Sequence, residues 1–274
     1  MVRYALERLL FRLSTSEYKE RFILKGALLF AVWSPEMHRP TRDLDLHGSG
    51  DPSQSKLLDT FRTICSIPWP DDGIQFLSDT VACSDIREEA EYRGQRITLI
   101  AKLGSAEIPL QIDVGFGDAI TPAPQDIEFP VLLGMPAPRL RAYPRETVVA
   151  EKFEAMVSLE LANSRMKDFF DLWTLAQTFT FDGAVLSQAI KATFERRGTP
   201  LPAEYPIALS AEFSTDASKL AQWQAFCRRS VLLDTAPPLQ EVITLLRQFL
   251  LPPLEMLRID AQYTDTWSPE GVWS

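Results

Sequence analysis

Thr41-Arg42-Asp43-Leu44-Asp45-Leu46-His47 alternates polar and apolar side chains with a period of two. That is the pattern of a half-buried β-strand. Leu44 and Leu46 anchor one face in a core, and Asp43 and Asp45 share the other. Ala106 to Phe116 repeats the pattern: Ile108, Leu110, Ile112, Val114 and Phe116 point one way, Gln111 and Asp113 the other. If the two strands are neighbours in one sheet, Asp43, Asp45 and Asp113 converge. Three hard oxygen donors suit Mg²⁺ or Mn²⁺, not zinc. Clustered carboxylates repel one another, and a divalent cation relieves that repulsion while itself serving phosphoryl transfer. Taken alone, an Asp-x-Asp pair on a strand is as compatible with a solvated face or a turn.

Outward from these segments, residues 1–13 read as a helix, with Val2, Leu6, Leu9, Leu10 and Leu13 at helical spacing. The apolar run Phe22 to Phe30 is broken by Lys25-Gly26, and the part after Gly26 reads as a short helix. Lys56 to Cys65 reads as a helix. Residues 92–103 and 106–116 read as two strands, with Gly104-Ser105 between them as a tight turn. A proline-rich stretch follows (Pro122, Pro124, Pro130, Pro136, Pro138, Pro144), readable as a domain linker or an irregular excursion. From Arg145 the pattern is helical: Val148 to Leu161, Met166 to Gln177, then 183–197, 216–233 and 238–251. The last twenty or so residues, with Pro252, Pro253 and Pro269, read as a loosely packed tail. Two domains are expected, an α/β unit over 1–144 and a helical unit over 145–274.

The 274 residues are enough to bury a core without disulfide or metal staples. Three scattered cysteines make a poor disulfide framework and fit a reducing compartment. Two histidines and no CxxC argue against structural zinc. No apolar run approaches the roughly 20 residues of a membrane span. Arg3, Glu7, Arg8 and Arg12 make the first residues too charged for a signal peptide, so the expectation is a cytoplasmic protein. The net charge of −9 argues against nonspecific coating of DNA but leaves room for a local basic patch.

Three further motifs carry chemistry. Gly26, in Lys25-Gly26-Ala27, lets backbone approach a ligand closely, and free amides of a first helical turn favour phosphate; a simple helix-start glycine reads the same way. Lys152 shares a helical stripe with Val148, Ala155 and Leu159, as a snorkelling cation or as one held for triphosphate oxygens. Asp168 and Asp171, in Arg165-Met166-Lys167-Asp168-Phe169-Phe170-Asp171-Leu172, lie on one helical face, where Lys167 and Asp171 are spaced for an ordinary ion pair.

Together these motifs resemble the AbiEii/AbiGii toxin family, the nucleotidyltransferase-like, MenT-like toxins of type IV toxin–antitoxin systems. The resemblance runs through Lys25-Gly26-Ala27, Arg39 to Leu46, Ile112-Asp113-Val114, Glu151-Lys152 and Arg165 to Leu172, in that order, over residues 20–180. It implies an α+β, DNA polymerase β-like nucleotidyltransferase fold, a mixed sheet with flanking helices, followed by an α-helical C-terminal region. It also implies a phage-defence toxin that moves a nucleotide from a nucleoside triphosphate to RNA, at the tRNA 3′ end, and blocks translation. In that scheme Asp43 and Asp45 hold Mg²⁺ (or Mn²⁺), Asp113 takes the place of the superfamily's third carboxylate, and Gly26 and Ala27 contact the nucleotide. Lys152 and Asp168 match two further positions on which family activity depends, which would have the helical domain contribute both to the active site. The motif usually reads Gly-Ser or Gly-Gly, so Ala27 loses a hydroxyl for phosphate and any regulation by modifying it. A separately encoded antitoxin is implied as partner, and no membrane. Arg39, Arg42, Arg139, Arg141 and Arg145 are candidates for an RNA-facing surface. Two other readings stand beside this one: transfer to a protein or small-molecule hydroxyl, and a non-catalytic nucleotide-binding protein.

Overall fold

The Asp43-to-His47 segment lies in the middle strand of a seven-stranded sheet. The computed structural model describes residues 1–34, 39–86, 94–232 and 236–274. Tyr92 and Arg93, read above with a strand, and Leu233, read with a helix, lie outside the described residues. The chain divides into two units, Met1–Asp118 with Pro124–Tyr143, and Ala119–Ala123 with Pro144–Ser274.

The first unit runs α1 (Val2–Thr15), β1 (Phe22–Lys25), a 3-10 turn (Gly26–Leu28) leading into α2 (Leu29–Trp33), β2 (Asp43–Gly48), α3 (Gln54–Cys65), β3 (Ile74–Ile86), β4 (Gly94–Leu103), β5 (Ala106–Phe116), β6 (Gln125–Glu128) and β7 (Arg139–Ala142). The sheet order is β3-β4-β5-β2-β1-β7-β6. β2 runs parallel to β5 and β1 parallel to β7, and the remaining pairs are antiparallel. Leu24, Leu44, Leu46, Ile97, Leu99, Ile112 and Val114 are buried on one face. α1 packs on β5 and β7, and α3 on β3. The opposite face of β2 and β5 carries Asp43, Asp45, His47, Gln111 and Asp113, as the period-two alternation dictates.

Two parts of this unit depart from expectation. β3 goes unread in the sequence because its alternation breaks: the ladder with β4 slips between Leu77 and Ala82. Such a bulge leaves partners unpaired; here Thr80 Oγ1 accepts the Ile100 N–H at 2.9 Å. The proline-rich stretch is neither linker nor irregular throughout, since it holds β6 and β7. Each is four residues long, and every proline of the stretch lies outside them. Prolines bracket strands they cannot enter.

α1 is also unlike a solvated helix. Glu7, Arg8 and Arg12 are buried. Arg12 binds both oxygens of the buried Asp72, at 2.5 and 3.1 Å, and Arg8 reaches the same carboxylate at 3.2 Å. Glu7 accepts the Leu132 N–H at 2.8 Å, and Arg8 donates to the Pro136 carbonyl at 2.9 Å, which ties the loop before β7 to α1.

The second unit comprises α4 (Arg145–Leu159), α5 (Met166–Thr178), β8 (Phe181–Asp182), α6 (Gly183–Arg197), α7 (Ala211–Thr215), α8 (Ala217–Arg229), α9 (Leu239–Arg258), β9 (Thr266–Ser268) and β10 (Val272–Trp273). The C-terminal stretch is no loose tail. α9 continues through Pro252 and Pro253, and β9 and β10 form a hairpin on β8. A proline at 252 cannot donate to the carbonyl of Gln248 one turn back. Trp273 Nε1 donates to that carbonyl instead, at 3.1 Å. Trp267 is fully buried against Phe249 and donates to the Ala176 carbonyl at the end of α5. Trp267→Ala is therefore expected to destabilise the chain by about 3–5 kcal/mol, the usual range for a buried large aromatic. Urea unfolding of the full chain checks this, and a loss under about 1 kcal/mol would mean the stretch packs as loosely as its prolines suggest.

Candidate active site

The polar face of the first unit carries one row of charges across four strands. Arg96 on β4 is in register with Asp113 on β5, Asp113 with Asp45 on β2, and Asp45 with Lys25 on β1. The order is cation, carboxylate, carboxylate, cation. Asp43 stands two residues before Asp45 on the same face and is exposed, while Asp45 is half-buried. The three aspartates expected to converge thus share one face of neighbouring strands.

Each end of the row is pinned. Arg96 binds Asp113 through both arms of its guanidinium, Nε to Oδ1 at 2.9 Å and Nη2 to Oδ2 at 2.8 Å. The Gln111 side-chain amide lies against the same pair; oriented so that both of its ends are satisfied, its oxygen accepts from Arg96 at 3.2 and 3.3 Å. The bond to Asp113 leads in raising Arg96 above the ordinary guanidinium range; burial opposes it, and the charges of Asp113, Asp43 and Asp45 add to it. At the other end Lys25 Nζ meets Asp118 Oδ2 at 2.7 Å and lies 5.0 Å from the centre of the Tyr143 ring. Tyr143 donates to the same oxygen at 3.2 Å, and His47 Nδ1 lies 3.6 Å from it.

Gly26 is required here by its neighbour. Its φ is +72°, and a Cβ built on it would lie 2.0 Å from Asp45 Oδ2. The space of the missing side chain is filled by the carboxylate, so the turn after β1 and the aspartate of β2 fit only with glycine at this position.

A second cluster lies within the second unit. Lys152 Nζ on α4 is held by two carboxylates of α5, Asp168 Oδ1 at 2.5 Å and Asp171 Oδ2 at 2.9 Å. Asp168 and Asp171 share a helical face, as their spacing requires, and both are buried. Asp171 thus serves Lys152, nineteen residues away, where the spacing points to Lys167. The turn between the helices is braced by the buried Asn163. Its Oδ1 accepts the Arg165 N–H at 2.8 Å, and its carbonyl takes the Lys219 ammonium at 3.0 Å. Beside the cluster, Glu154 is bound by Arg197 and Thr199, each at 2.6 Å.

The family model for the nucleotidyl transferase AbiEii toxin of type IV toxin–antitoxin systems matches residues 8–245. The chain belongs to the AbiEii family. No curated protein matches. Among solved structures, JHP933 from Helicobacter pylori is similar over 93% of both chains, at 18% identity and a TM-score of 0.53. A second H. pylori structure, described as a candidate nucleotidyltransferase, is similar over 94% of this chain and 96% of its own, at 18% identity and a TM-score of 0.51. At that identity the likeness speaks for the fold, the mixed sheet with flanking helices expected of an AbiEii nucleotidyltransferase.

The donor set on the polar face fits a hard divalent cation in part. Asp43, Asp45 and Asp113, among the described residues, lie close together on this face, and a divalent ion would relieve the repulsion among them. Among the described residues, no three His, Cys, Asp or Glu side chains are drawn together as a ready coordination site. Asp43 and Asp45 suit an ion such as Mg²⁺, which is commonly held by one or two carboxylates and completed by substrate phosphates. Asp113 sits in the fork of Arg96.

Sequence reading overlooked Arg96, Asp118, His47 and Tyr143 as members of this face; for Arg96, only its place in a predicted neighbouring strand pointed to it. Several of the candidate RNA-facing arginines have local partners. Arg139 meets Glu128 at 2.9 Å, Arg141 meets Glu20 at 3.3 Å, and Arg145 stacks on Phe179. No helix among the described residues is long and apolar enough to cross a membrane.

Gly26→Ala is expected to destabilise the chain by about 1–3 kcal/mol, from a side chain forced into a left-handed conformation. It should also weaken nucleotide binding by displacing Asp45. Denaturant unfolding and equilibrium binding of a labelled nucleoside triphosphate check the two effects, and a variant that matches the wild type in both would refute this role for Gly26.

Proposed function

We propose that the protein transfers a nucleotide from a nucleoside triphosphate to RNA, at the 3′ end of tRNA, and so blocks translation. The observation that carries this reading is the row Arg96, Asp113, Asp45, Lys25 with Asp43 and Gly26 beside it. It supplies, on one polar face, carboxylates for a divalent ion and a close backbone turn for phosphate. Membership of the AbiEii nucleotidyltransferase toxins supplies the reaction class.

Phosphoryl transfer asks the protein for positioning and charge more than for covalent chemistry. Asp43 and Asp45 hold Mg²⁺ or Mn²⁺, which, when bound, neutralises charge on the triphosphate and lowers the pKa of the acceptor hydroxyl. The backbone of Gly26 and Ala27 approaches the triphosphate. The 3′-oxygen of the acceptor bonds to the α-phosphorus, the bond from that phosphorus to the bridging oxygen breaks, pyrophosphate leaves, and the hydroxyl proton passes to water. Lys152 and Asp168 serve the same reaction on the family pattern. Lys152 stabilises triphosphate charge and Asp168 orients Lys152, a role in keeping with their 2.5 Å contact. A separately encoded antitoxin restrains the activity, as the toxin–antitoxin family implies.

The net charge of −9 and the local partners of Arg139, Arg141 and Arg145 favour a second reading of the acceptor, a protein or small-molecule hydroxyl. One assay separates the two. Purified protein is incubated with Mg²⁺, total tRNA, cell protein and each α-labelled nucleoside triphosphate in turn. Label is expected on tRNA, and Asp43→Ala is expected to lower it by about 100–1000-fold, in line with the loss of one charge contact in the transition state. Label confined to protein would move the acceptor to the second reading, and undiminished transfer by Asp43→Ala would refute the carboxylate site.

A further inference from the structure

We propose that Arg96 stands in for a second divalent cation on the polar face of the first unit. The chain then takes a single ion, at Asp43 and Asp45, and Asp113 is a positioning residue in place of a metal ligand. The inference rests on the reading of Asp43 and Asp45 as the pair that holds the ion.

Three observations carry it. Both oxygens of Asp113 are engaged by the guanidinium, at 2.9 and 2.8 Å, in the bidentate geometry for which arginine is suited. The fork is itself supported: Arg96 extends from β4 in register with Asp113, and Gln111, two residues earlier on β5, sets its side-chain amide against the same ion pair. The third observation is the charge order of the row. Asp113 and Asp45 are direct neighbours across a parallel ladder, and like charges so placed repel. A fixed cation on the outer side of Asp113 offsets that repulsion permanently, because arginine does not deprotonate in proteins.

A guanidinium bound in this way disfavours any ion approaching Asp113, by its own charge and by occupying both oxygens. It leaves Asp45 and the exposed Asp43, whose oxygens it does not bind in its fork, beside it on the same face. The face is also open enough for its occupancy to change if Arg96 is removed. The side chain of Asp113 is 21% exposed and that of Arg96 40%, so deleting the guanidinium would uncover a carboxylate reachable from solvent beside Asp45.

The test counts tight Mn²⁺ sites on the full chain by the loss of the free-ion electron paramagnetic resonance signal, without nucleotide. The wild type is expected to take one ion, and Asp43→Ala none. Arg96→Gln is expected to take two, and Arg96→Gln combined with Asp113→Asn to return to one. Two ions on the wild type would overturn the proposal whether or not any variant folds. So would one ion on a folded Arg96→Gln chain, because Arg96 would then not be what excludes the second. Failure of the underlying reading looks different: a wild type that takes no ion, or an ion that survives Asp43→Ala, removes the Asp43–Asp45 site itself.

Discussion

Two carboxylates facing each other across neighbouring parallel strands set the terms for the first unit. Adjacent strands lie about 4.8 Å apart, so Asp45 and Asp113 cannot avoid each other's field. The sheet resolves this within the row, with Arg96 outside Asp113 and Lys25 outside Asp45. Much else follows. Lys25 holds Asp118, and Tyr143 and His47 gather on the same carboxylate oxygen. Asp45 settles against Gly26, which fixes the turn after β1 in a conformation only glycine holds easily. The apolar alternation beneath, Leu44 and Leu46 against Ile112 and Val114, keeps the row in register, since a slip of one residue would turn every carboxylate into the core.

The second unit uses the same physics more deeply. Lys152 between Asp168 and Asp171 is a cation with two carboxylates, little exposed. Such groups are costly to desolvate and stay ionised only in company. The geometry is held by backbone, not by charge alone. Asn163 shapes the turn that leads into α5, and Lys219 of α8 anchors that turn from outside. A cation with two near-fixed carboxylates is restrained in position, which is what an orienting role in catalysis asks of it.

Much of this was legible in sequence because the decisive segments have clean periods. Asp43 to His47 and Ile108 to Val114 alternate without interruption, so their faces could be assigned. The long helices of the second unit announce themselves in the same way. What escaped reading did so for identifiable reasons. β3 contains a bulge, which destroys its period. β6 and β7 are too short to show a period and are bracketed by proline. The end of α9 carries two prolines, and the carbonyl that Pro252 leaves without its helical donor is taken by Trp273, more than twenty residues on, a long-range contact no local pattern can reveal. In the site, Asp43, Asp45 and Asp113 were found from period and residue type. Arg96 and Asp118 were not, because their importance lies in register and in a loop's return to the sheet. Asp171 was seen, but its spacing to Lys167 suggested a local pair, while its observed partner, Lys152, is nineteen residues away in sequence.

The central claim is that the polar face around Gly26, Asp43 and Asp45 receives the nucleotide. Hydrogen–deuterium exchange of the full chain, with and without a non-hydrolysable nucleoside triphosphate and Mg²⁺, tests it most directly. The account predicts slowed exchange over Lys25 to Phe30 and Asp43 to Gly48, with Ile207 to Thr215 unchanged. Saturating nucleotide that leaves both of those segments unaltered, while protecting amides elsewhere, would contradict it.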